Sequence, residues 1–529
     1  MSDAIDVDAF ANWLSLRTCA ARTSLRTHLS EWKSDPIALT ALRERARRFQ
    51  AAYAADPNLF TEVSAHFEEL SRLEEDMAFS NTTGALENES YNELLFLRPA
   101  LRPLNFLSWL LSLWAAFRIY LLPGLSILLP LLTLIAPYVI LTYVFNMPIT
   151  LDKYAALLQS LFTGNVQRAM NPASLSSEPV FSAGNLKQLG ILAVTFAQSI
   201  LQPYWTYQHL SKVDSIICER GRIVLRFHAV YEEIEALLKR HGIVFYHSPL
   251  PVMRTEREAA AHALLNPTYF QIAWKYLGAL EVIMRLTHAE GIHPVKWVSS
   301  SKPMFRAQHT FDFHVPQTQR KPCTVNLERN RCHALLTGPN KGGKSTVLRA
   351  LSATALLAHT YGCSFGYLVA TPFARQYVCL KPDDLPGTAS RFEREMEFTA
   401  ATLTEQHTAA TLTEHDAATE SGRILVFIDE LYHSTNPPDA LRSCEIYGAR
   451  LWARKDAVSV ISTHLFEWVE RAPEAIKRFC CPAAIHGEHI EFSYQLEKGV
   501  CKVSSVDMLL RKSGLLEKGP NRAQSHRLA

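Results

Sequence analysis

Hydrophobic and polar positions change their spacing along this 529-residue chain, and the change separates a helical part from a mixed part. From residue 5 to about 97, and again over 152–295, apolar side chains recur at the spacing of amphipathic helices. Asp35-Pro36 provides a helix start in the first of these regions. Beyond residue 300, short continuous apolar runs predict buried β-strands. The sequence therefore predicts a mostly α-helical N-terminal half followed by an α/β domain.

Residues 103–151 depart from both patterns, because Arg118 is the only charged residue among them. About 20 apolar residues are enough to cross a bilayer. One arrangement that fits is a helical hairpin, with helices at about 104–122 and 125–146 and a break at Pro123-Gly124. A single span near 125–146 with an amphipathic lead-in also fits, and so does a buried apolar hairpin of a soluble protein.

A second apolar run, from Leu186 to Gln202, lies in the helical region that follows. It includes the polar residues Gln188 and Gln198. We therefore expect this run to pack inside the protein and not to cross a membrane. The hairpin at 103–151 keeps the soluble parts on one side of the membrane, and it is the arrangement used in the domain prediction.

Composition indicates the cellular compartment of the protein more than it indicates an activity. The net charge of +3 is too small to indicate nucleic-acid binding by itself. The ten cysteines are scattered without a C-x-x-C pair, as is typical of reduced thiols in a cytosolic protein. The acidic start Met1–Asp6 lacks the apolar core of a secretory signal, so the chain is not expected to be secreted.

The segment Gly338-x-x-x-x-Gly343-Lys344-Ser345 has the pattern of a phosphate-binding loop. An apolar run, Ala334–Leu336, precedes it as a strand, and a helical pattern follows it. The glycines allow backbone N–H groups to face phosphates, and the helix start places its positive dipole end beneath them. Lys344 would reach the β- and γ-phosphates, and the Ser345 hydroxyl would bind Mg²⁺.

A second run, Arg423–Ile428, reads as a buried central strand and ends in Asp429-Glu430. A carboxylate at this place suits the Mg²⁺ shell, which is the role expected for Asp429. A second carboxylate can polarise the attacking water, which is the role expected for Glu430. Together the two segments predict ATP and Mg²⁺ as ligands and ATP hydrolysis as the reaction.

Several segments resemble the MutS family, a branch of the ABC ATPases. The phosphate loop reads TGPNKGGKST, close to the family form TGPNxGGKST. The other similar segments are Asp429–Thr435 followed by Asp439, Ser462-Thr463-His464, Asp383–Met396 with Ser390, and the helix Ala273–His288, in which Glu281 replaces the usual Asp.

The resemblance implies a P-loop ATPase domain of the ABC/MutS type that binds ATP between two subunits. Its nucleotide-binding residues would be Gly338, Pro339, Asn340, Lys341, Gly342, Gly343, Lys344, Ser345 and Thr346. The same family pattern makes His464 a catalytic residue near the γ-phosphate, where it would couple hydrolysis to movement. Ser390 would contact the nucleotide of the other subunit, and Asn436 and Asp439 would lie at the dimer seam.

The predicted domains follow from these features. They are a helical N-terminal region at 1–100, a transmembrane hairpin at 101–151, a helical core and lever at 152–298, a MutS-type ATPase domain at 299–515 and a disordered tail at 516–529. The early segment Phe67-Glu68-Glu69 matches the Phe-x-Glu wedge of bacterial MutS, but its helical pattern indicates core packing. Direct mismatch reading by this chain is therefore not expected.

Two functions fit the sequence. The first is a homodimeric MutS-family ATPase, associated with duplex or branched DNA as in mismatch repair and recombination, and tethered to a membrane through 103–147. The alternative is a membrane-anchored ATPase that moves a protein or lipid partner and has no DNA role. Both place the ATPase domain in the cytoplasm or nucleus.

Overall fold

The computed structural model describes residues 4–78, 89–154, 158, 183–244, 249–380, 391–404, 422–486, 489–503, 510 and 513. These residues form two compact units. The first comprises Met1–Ser71, Ile234–His247 and Trp274–Ala529, and the second comprises Arg72–Glu233 and Ser248–Ala273. This division differs from the predicted one, which separated residues 1–100 from the ATPase domain. The predicted tail at 516–529 lies outside the described residues.

Four helices open the chain, as the periodicity predicted. They are α1 (Val7–Trp13), α2 (Cys19–Ser30), α3 (Pro36–Ala55) and α4 (Leu59–Asp76). The predicted start of α3 is confirmed, because the Asp35 carboxylate accepts the Ala38 N–H at 2.8 Å. Phe67 is completely buried within α4, which fits core packing and not an exposed wedge.

The first unit joins α1–α3 to residues far along the chain through buried polar contacts. The carboxylate of Glu281 is fully buried and accepts the backbone N–H groups of Arg17 and Thr18 at 2.7 and 3.1 Å. The Thr18 hydroxyl donates to the same carboxylate at 2.7 Å, and the Arg285 guanidinium donates at 2.8 Å. A buried carboxylate needs such partners, which fixes the start of α2 beside the helix that holds Glu281.

Residues from 292 onward build the sheets of the first unit. The strands are β1 (Ile292–Pro294), β2 (Lys296–Trp297), β3 (Met304–Thr310), β4 (Cys323–Glu328), β5 (His333–Thr337), β6 (Cys363–Phe365), β7 (Tyr367–Ala370), β8 (Arg375–Cys379), β9 (Ile424–Ile428), β10 (Ala457–Ser462), β11 (Lys477–Cys480), β12 (Ala483–His486), β13 (His489–Phe492) and β14 (Glu497–Lys498).

A six-stranded sheet in the order β14-β11-β5-β10-β9-β8 carries the predicted motifs. Every strand pair in it is parallel except β11 with β14. Because parallel strands end at one edge, the loops that follow β5, β9 and β10 meet there. The predicted strands before the phosphate loop, Asp429 and His464 are confirmed as β5, β9 and β10.

Side chains of the central strands alternate between two buried faces of this sheet. Leu336 and Phe427 pack on one face with the helix Lys344–Tyr361. Leu335 and Val426 pack on the other with the helix Pro437–Ala453. Strands covered on both faces read as continuous apolar runs, which explains the uniform hydrophobicity of the sequence there. A separate four-stranded sheet has the order β2-β7-β3-β4.

The second unit contains the apolar segment, which forms one uninterrupted helix from residue 108 to 144. We call it the apolar helix; it comprises Ser108–Ala116, the π-turn Phe117–Leu121, Leu122–Val139 and the π-turn Ile140–Val144. The predicted break at Pro123-Gly124 is wrong, because Leu121 and Leu122 both keep helical dihedrals. A π-turn directly before Pro123 adjusts the backbone hydrogen bonds, which lets an apolar helix continue through proline.

A long helix, Ala183–Arg240, has all but its last turns in the same unit and confirms the helical period predicted for this region. The expectation that its first part packs inside the protein is wrong for the side chains described there. Val194 is 58% exposed, Leu201 51% and Trp205 69%. Pro203 is also accommodated within this helix.

Candidate functional site

The phosphate loop lies between β5 and the helix Lys344–Tyr361, at the carboxyl edge of the six-stranded sheet. Gly338 and Gly343 have φ angles of 144° and 101°, which side chains rarely adopt. A Cβ on Gly338 would lie 2.7 Å from the Cys481 carbonyl oxygen. These glycines are therefore required by the loop geometry. Gly343 is followed at once by the start of the helix, so its positive dipole end faces the loop.

Lys344 points back over the loop from the first position of that helix. It is buried, and its Nζ donates to the carbonyl oxygens of Gly338 and Pro339 at 3.0 and 3.1 Å. Burial lowers the pKa of this ammonium group, while the nearby carboxylates of Glu430 and Asp429 oppose that shift. The charge is thus held over the place where the loop can accept phosphates.

The Ser462 hydroxyl connects the two carboxylates that end β9. It accepts the backbone N–H of Glu430 at 2.8 Å and donates to Asp429 Oδ1 at 2.5 Å. Because the hydroxyl donates its single hydrogen to Asp429, Oδ1 of Asp429 is fixed in position as the acceptor. One Asp429 oxygen is held by Ser462, and the other can serve a ligand.

Glu430 and His464 form the second polar pair of the site. His464 Nε2 donates to Glu430 Oε1 at 3.1 Å. This hydrogen bond, opposed by burial and helped by positive neighbours, lowers the pKa of Glu430 to about 2. Glu430 also has a φ of 53°, which is unusual for a residue other than glycine. The carboxylate is therefore fixed in direction and ionised at neutral pH.

A cavity of about 460 Å³ opens over the phosphate loop, and we call it the phosphate-loop cavity. Its lining includes Lys344, Ser345, Asp429, Glu430, Arg391 and Tyr494. The Tyr494 ring is 52% exposed and lies 3.6 Å from the point where a Cβ on Gly343 would stand. The cavity thus combines a phosphate loop, two carboxylates and one available aromatic face.

The structure brings most of the predicted site residues to this cavity and its edge. Asn340, Lys341, Gly343 and Thr346 also line it, and Glu430 and His464 both line a smaller neighbouring cavity of about 140 Å³. Ser390 and the segment Asp383–Leu385 lie outside the described residues.

Asn436 and Asp439 bind each other at the start of a helix. The Asn436 side chain accepts the Asp439 N–H at 3.0 Å and donates to its carboxylate at 2.7 Å. This pair caps the helix Pro437–Ala453. These contacts give both residues a local structural role, which is separate from the role predicted for them at a dimer seam.

One comparison with known proteins bears on this site. Residues 334–518 match the family model for MutS domain V. The chain therefore carries a MutS domain V, which supports membership of the MutS family. Domain V is an ATPase-type domain, so the matched region carries the nucleotide and Mg²⁺ use that is general to the family. The resemblance seen in the phosphate loop and in Asp429–Thr435 is confirmed by this match, which begins at β5 and includes all six of the cavity residues named above.

Three residues of this MutS domain had no role in the sequence prediction. Ser462 precedes the Thr463-His464 pair, and only the fold shows that its hydroxyl reaches Asp429. Tyr494 follows β13, and only the fold shows that it lines the phosphate-loop cavity. Arg391 lines the phosphate-loop cavity and donates to Glu395 at 3.2 Å. A charged residue directly after Ser390 was the available signal for it.

Proposed function

We propose that this protein is a P-loop ATPase of the ABC/MutS type that hydrolyses ATP at the phosphate-loop cavity. One observation carries the proposal: Lys344, Ser345, Asp429 and Glu430 line a single cavity at the carboxyl edge of a parallel sheet. Such an edge is where open α/β folds bind their ligands. The four side chains supply the cation, the metal ligands and the base that phosphoryl transfer requires.

The residues fit Mg²⁺ as the companion ion. Among the described residues, no group of three or more His, Cys, Asp or Glu side chains is placed to hold a metal ion. The Ser345 hydroxyl and the Asp429 carboxylate are hard oxygen ligands, and Mg²⁺ usually completes its shell with waters and substrate phosphates. When bound, Mg²⁺ would neutralise charge on the β- and γ-phosphates.

Each polar group has a defined part in the proposed reaction. Backbone N–H groups of the phosphate loop and the Lys344 ammonium hold the phosphates in line. Glu430 polarises the attacking water, and its low pKa keeps it ready to accept a hydrogen bond. His464 acts by holding Glu430 in that direction. Since phosphoryl transfer depends on positioning and charge neutralisation, these roles are sufficient for catalysis.

We also propose that two copies close over ATP, with Ser390 of each copy against the nucleotide of the other. The segment Asp383–Met396 supports this through its resemblance to the MutS signature. A homodimer would therefore open and close with the state of the nucleotide.

Two functions are candidates for what the opening and closing of the dimer drives. The MutS family favours association with duplex or branched DNA, as in mismatch repair. The apolar helix favours a membrane-anchored ATPase that moves a protein or lipid partner. Ser108–Pro130 is long and apolar enough to cross a membrane, which by itself is weak support. We propose the DNA-associated and membrane-tethered form, with its ATPase domain in the cytoplasm or nucleus.

Glu430→Gln tests the hydrolysis proposal. The variant should retain ATP binding, lose at least 100-fold in turnover and accumulate as an ATP-bound dimer, because water loses its polarising carboxylate. Exposed Glu467→Gln, in the same domain, is the matched control. Hydrolysis by Glu430→Gln at the wild-type rate would show that another group is the base.

Two further measurements separate the finer proposals. When the Ser390→Arg and Glu430→Gln variants are mixed, each should impair ATP hydrolysis at a site that it shares with the other subunit. Independent hydrolysis rates of the two variants would argue against a shared site. Gel shifts on duplex and branched DNA at several salt concentrations test the DNA role. Absence of any salt-dependent shift, with ATPase activity intact, would favour the alternative function.

A further inference from the structure

We propose that the first part of the long helix, residues 183–207, pairs with the apolar helix to form a two-helix element that is embedded in a lipid bilayer. This inference rests on the proposed membrane tether and deepens it by naming a second lipid-facing helix. The hydrophobic pattern did not predict this second helix, because the polar residues Gln188 and Gln198 indicated internal packing.

The two helices run antiparallel within the second unit. Leu111, Ala115 and Ile119 share a buried cluster with Leu210, Val213 and Ile217. Farther along, Ile127 and Pro203 line the same cavity, and the rings of Tyr120 and Tyr207 lie 5.9 Å apart. Residue numbers therefore rise along one helix as they fall along the other. The chain makes its hairpin between these two helices and not at Pro123-Gly124.

Beyond the buried cluster, both helices present large apolar side chains to the outside. Leu132 on the apolar helix is 48% exposed, and Val194 and Leu201 on the long helix are also about half exposed or more. Many large apolar side chains exposed on one part of a soluble protein are unusual and mark an interaction site. Two lipid-facing helices explain the exposure better than one, because exposed apolar side chains occur on both helices.

Length and charge indicate that the covering partner is a bilayer. Tyr120 and Tyr143 are 23 positions apart, which is about 35 Å of helix and close to the thickness of a hydrocarbon core of about 30 Å. The apolar helix carries no charge after Arg118. The long helix carries no Asp, Glu, Lys or Arg from Gln188 to Ser211, a comparable length.

Aromatic residues lie where the two interfaces of such a bilayer would be. Tyr120, Tyr204, Trp205 and Tyr207 gather near the buried cluster, and Tyr143 lies at the distal end of the apolar helix. Tyrosine and tryptophan favour the headgroup level because their rings are amphipathic. A protein partner would not require this matched spacing, which is why we assign the surface to lipid.

The test measures flotation of the full-length protein with vesicles of phosphatidylcholine and phosphatidylglycerol, after a carbonate wash. Val194→Arg and Leu132→Arg each place a charge midway between the aromatic levels. Each should reduce the membrane-bound to free ratio by about 100-fold, as expected for arginine at the centre of an inserted helix. Gln208→Arg, at the proposed headgroup level on the same helix, should float like the wild type. ATP binding verifies that each variant is folded, and Leu201→Arg repeats the test if Val194→Arg is not.

The remaining outcomes separate this inference from the tether itself. If Val194→Arg and Leu201→Arg float normally while Leu132→Arg loses flotation, the proposal that the long helix is embedded would be overturned. The tether would then consist of the apolar helix alone. Wild-type protein that stays unbound and monodisperse would overturn both. Wild-type protein that stays unbound as a dimer, and becomes monomeric in either arginine variant, would show that the surface binds a second copy instead.

Discussion

The hydroxyl groups of Tyr432 and Thr399 lie 2.6 Å apart in the buried interior of the ATPase domain. Thr399 belongs to the helix Arg391–Thr404, which directly follows Ser390. Tyr432 stands two residues after Glu430. Ser434 adds a second link by donating to Glu395 of the same helix at 3.3 Å. Displacement of the helix should therefore be communicated to Asp429 and Glu430, the carboxylates that we propose hold the metal and the water.

Tyr432→Phe should lower ATP turnover several-fold with little change in ATP affinity, because it removes this link and leaves the phosphate loop intact. The free energy of unfolding should fall by about 1 kcal/mol for the lost hydrogen bond. Steady-state kinetics and nucleotide titration separate the two effects. Thr404→Ala, on the exposed end of the same helix, is the control, and an equal loss of turnover there would remove the special role of Tyr432.

Lys344→Ala should raise the Kd for ATP by at least 100-fold, since the variant removes the main cation from the phosphates. Lys341→Ala changes an exposed lysine of the same loop and should have a much smaller effect. Fluorescent-nucleotide titration gives both constants. Near-normal affinity of folded Lys344→Ala would refute the assignment of the phosphate loop.

The exposed ring of Tyr494 lines the phosphate-loop cavity, and we expect it to stack on the base of a bound nucleotide. Stacking of a base on an aromatic side chain contributes about 1–3 kcal/mol. Tyr494→Ala should therefore weaken ATP binding by about 5- to 150-fold, whereas Tyr494→Phe should preserve it. The comparison of ATP with inorganic triphosphate identifies the base as the origin, because triphosphate affinity should not respond to either variant.

Glu281→Gln should destabilise the first unit by about 3–5 kcal/mol, because the buried Arg285 would lose its charged partner. The backbone N–H groups of Arg17 and Thr18 would also lose a strong acceptor. Chemical denaturation measures the change, with exposed Glu467→Gln as control. Limited proteolysis should cut earlier between α1 and α2, and an unchanged pattern there would contradict the anchoring role.

Acid should destabilise the first unit through two buried histidines. Burial lowers the pKa of His359 to about 3 and that of His333 to about 4, while both titrate near 6.5 in an unfolded chain. Below pH 6.5 the unfolded state binds protons that the folded state refuses, so stability falls as pH falls towards 4. The loss is about 1.4 kcal/mol per pH unit for each histidine.

Denaturation curves at pH 7.5, 6 and 5 measure this dependence. His359→Asn should flatten the slope by about half of the histidine contribution, although it weakens the stacking on Trp32, whose ring centroid lies 4.0 Å away. Exposed His309→Asn is the control. A slope that His359→Asn leaves unchanged would contradict the assignment.

Sequence patterns predicted the parts of the fold in which local physics decides. The run at β9 is apolar at every position, and those at β5 and β10 are apolar at most positions, so their burial between two helical layers follows directly. The phosphate loop directly follows β5, and the two carboxylates directly follow β9. Parallel topology brings these segments together. For these elements the order of residues was enough.

Other features depended on residues far apart. Thr18 and Glu281 are 263 positions apart. No local pattern shows that the Glu281 carboxylate accepts hydrogen bonds from the backbone N–H and the hydroxyl of Thr18. Pro123-Gly124 has the composition of a turn, yet a π-turn lets the helix continue. Gln188 and Gln198 indicated internal packing, but an amide side chain can also be carried on an exposed apolar helix. In each case the tertiary surroundings override the local preference.

The separation between Thr18 and Glu281 has a consequence for the order of events on the ribosome. At about 5–20 residues per second, roughly 13 to 50 seconds pass between synthesis of the two residues. During that interval the apolar helix and the first part of the long helix both emerge, while α1–α3 still lack the surface on which they pack. With the proposed membrane tether, a nascent chain would thus reach the membrane before its ATPase domain exists. The N-terminal helices would have to be kept from aggregation until translation passes residue 281.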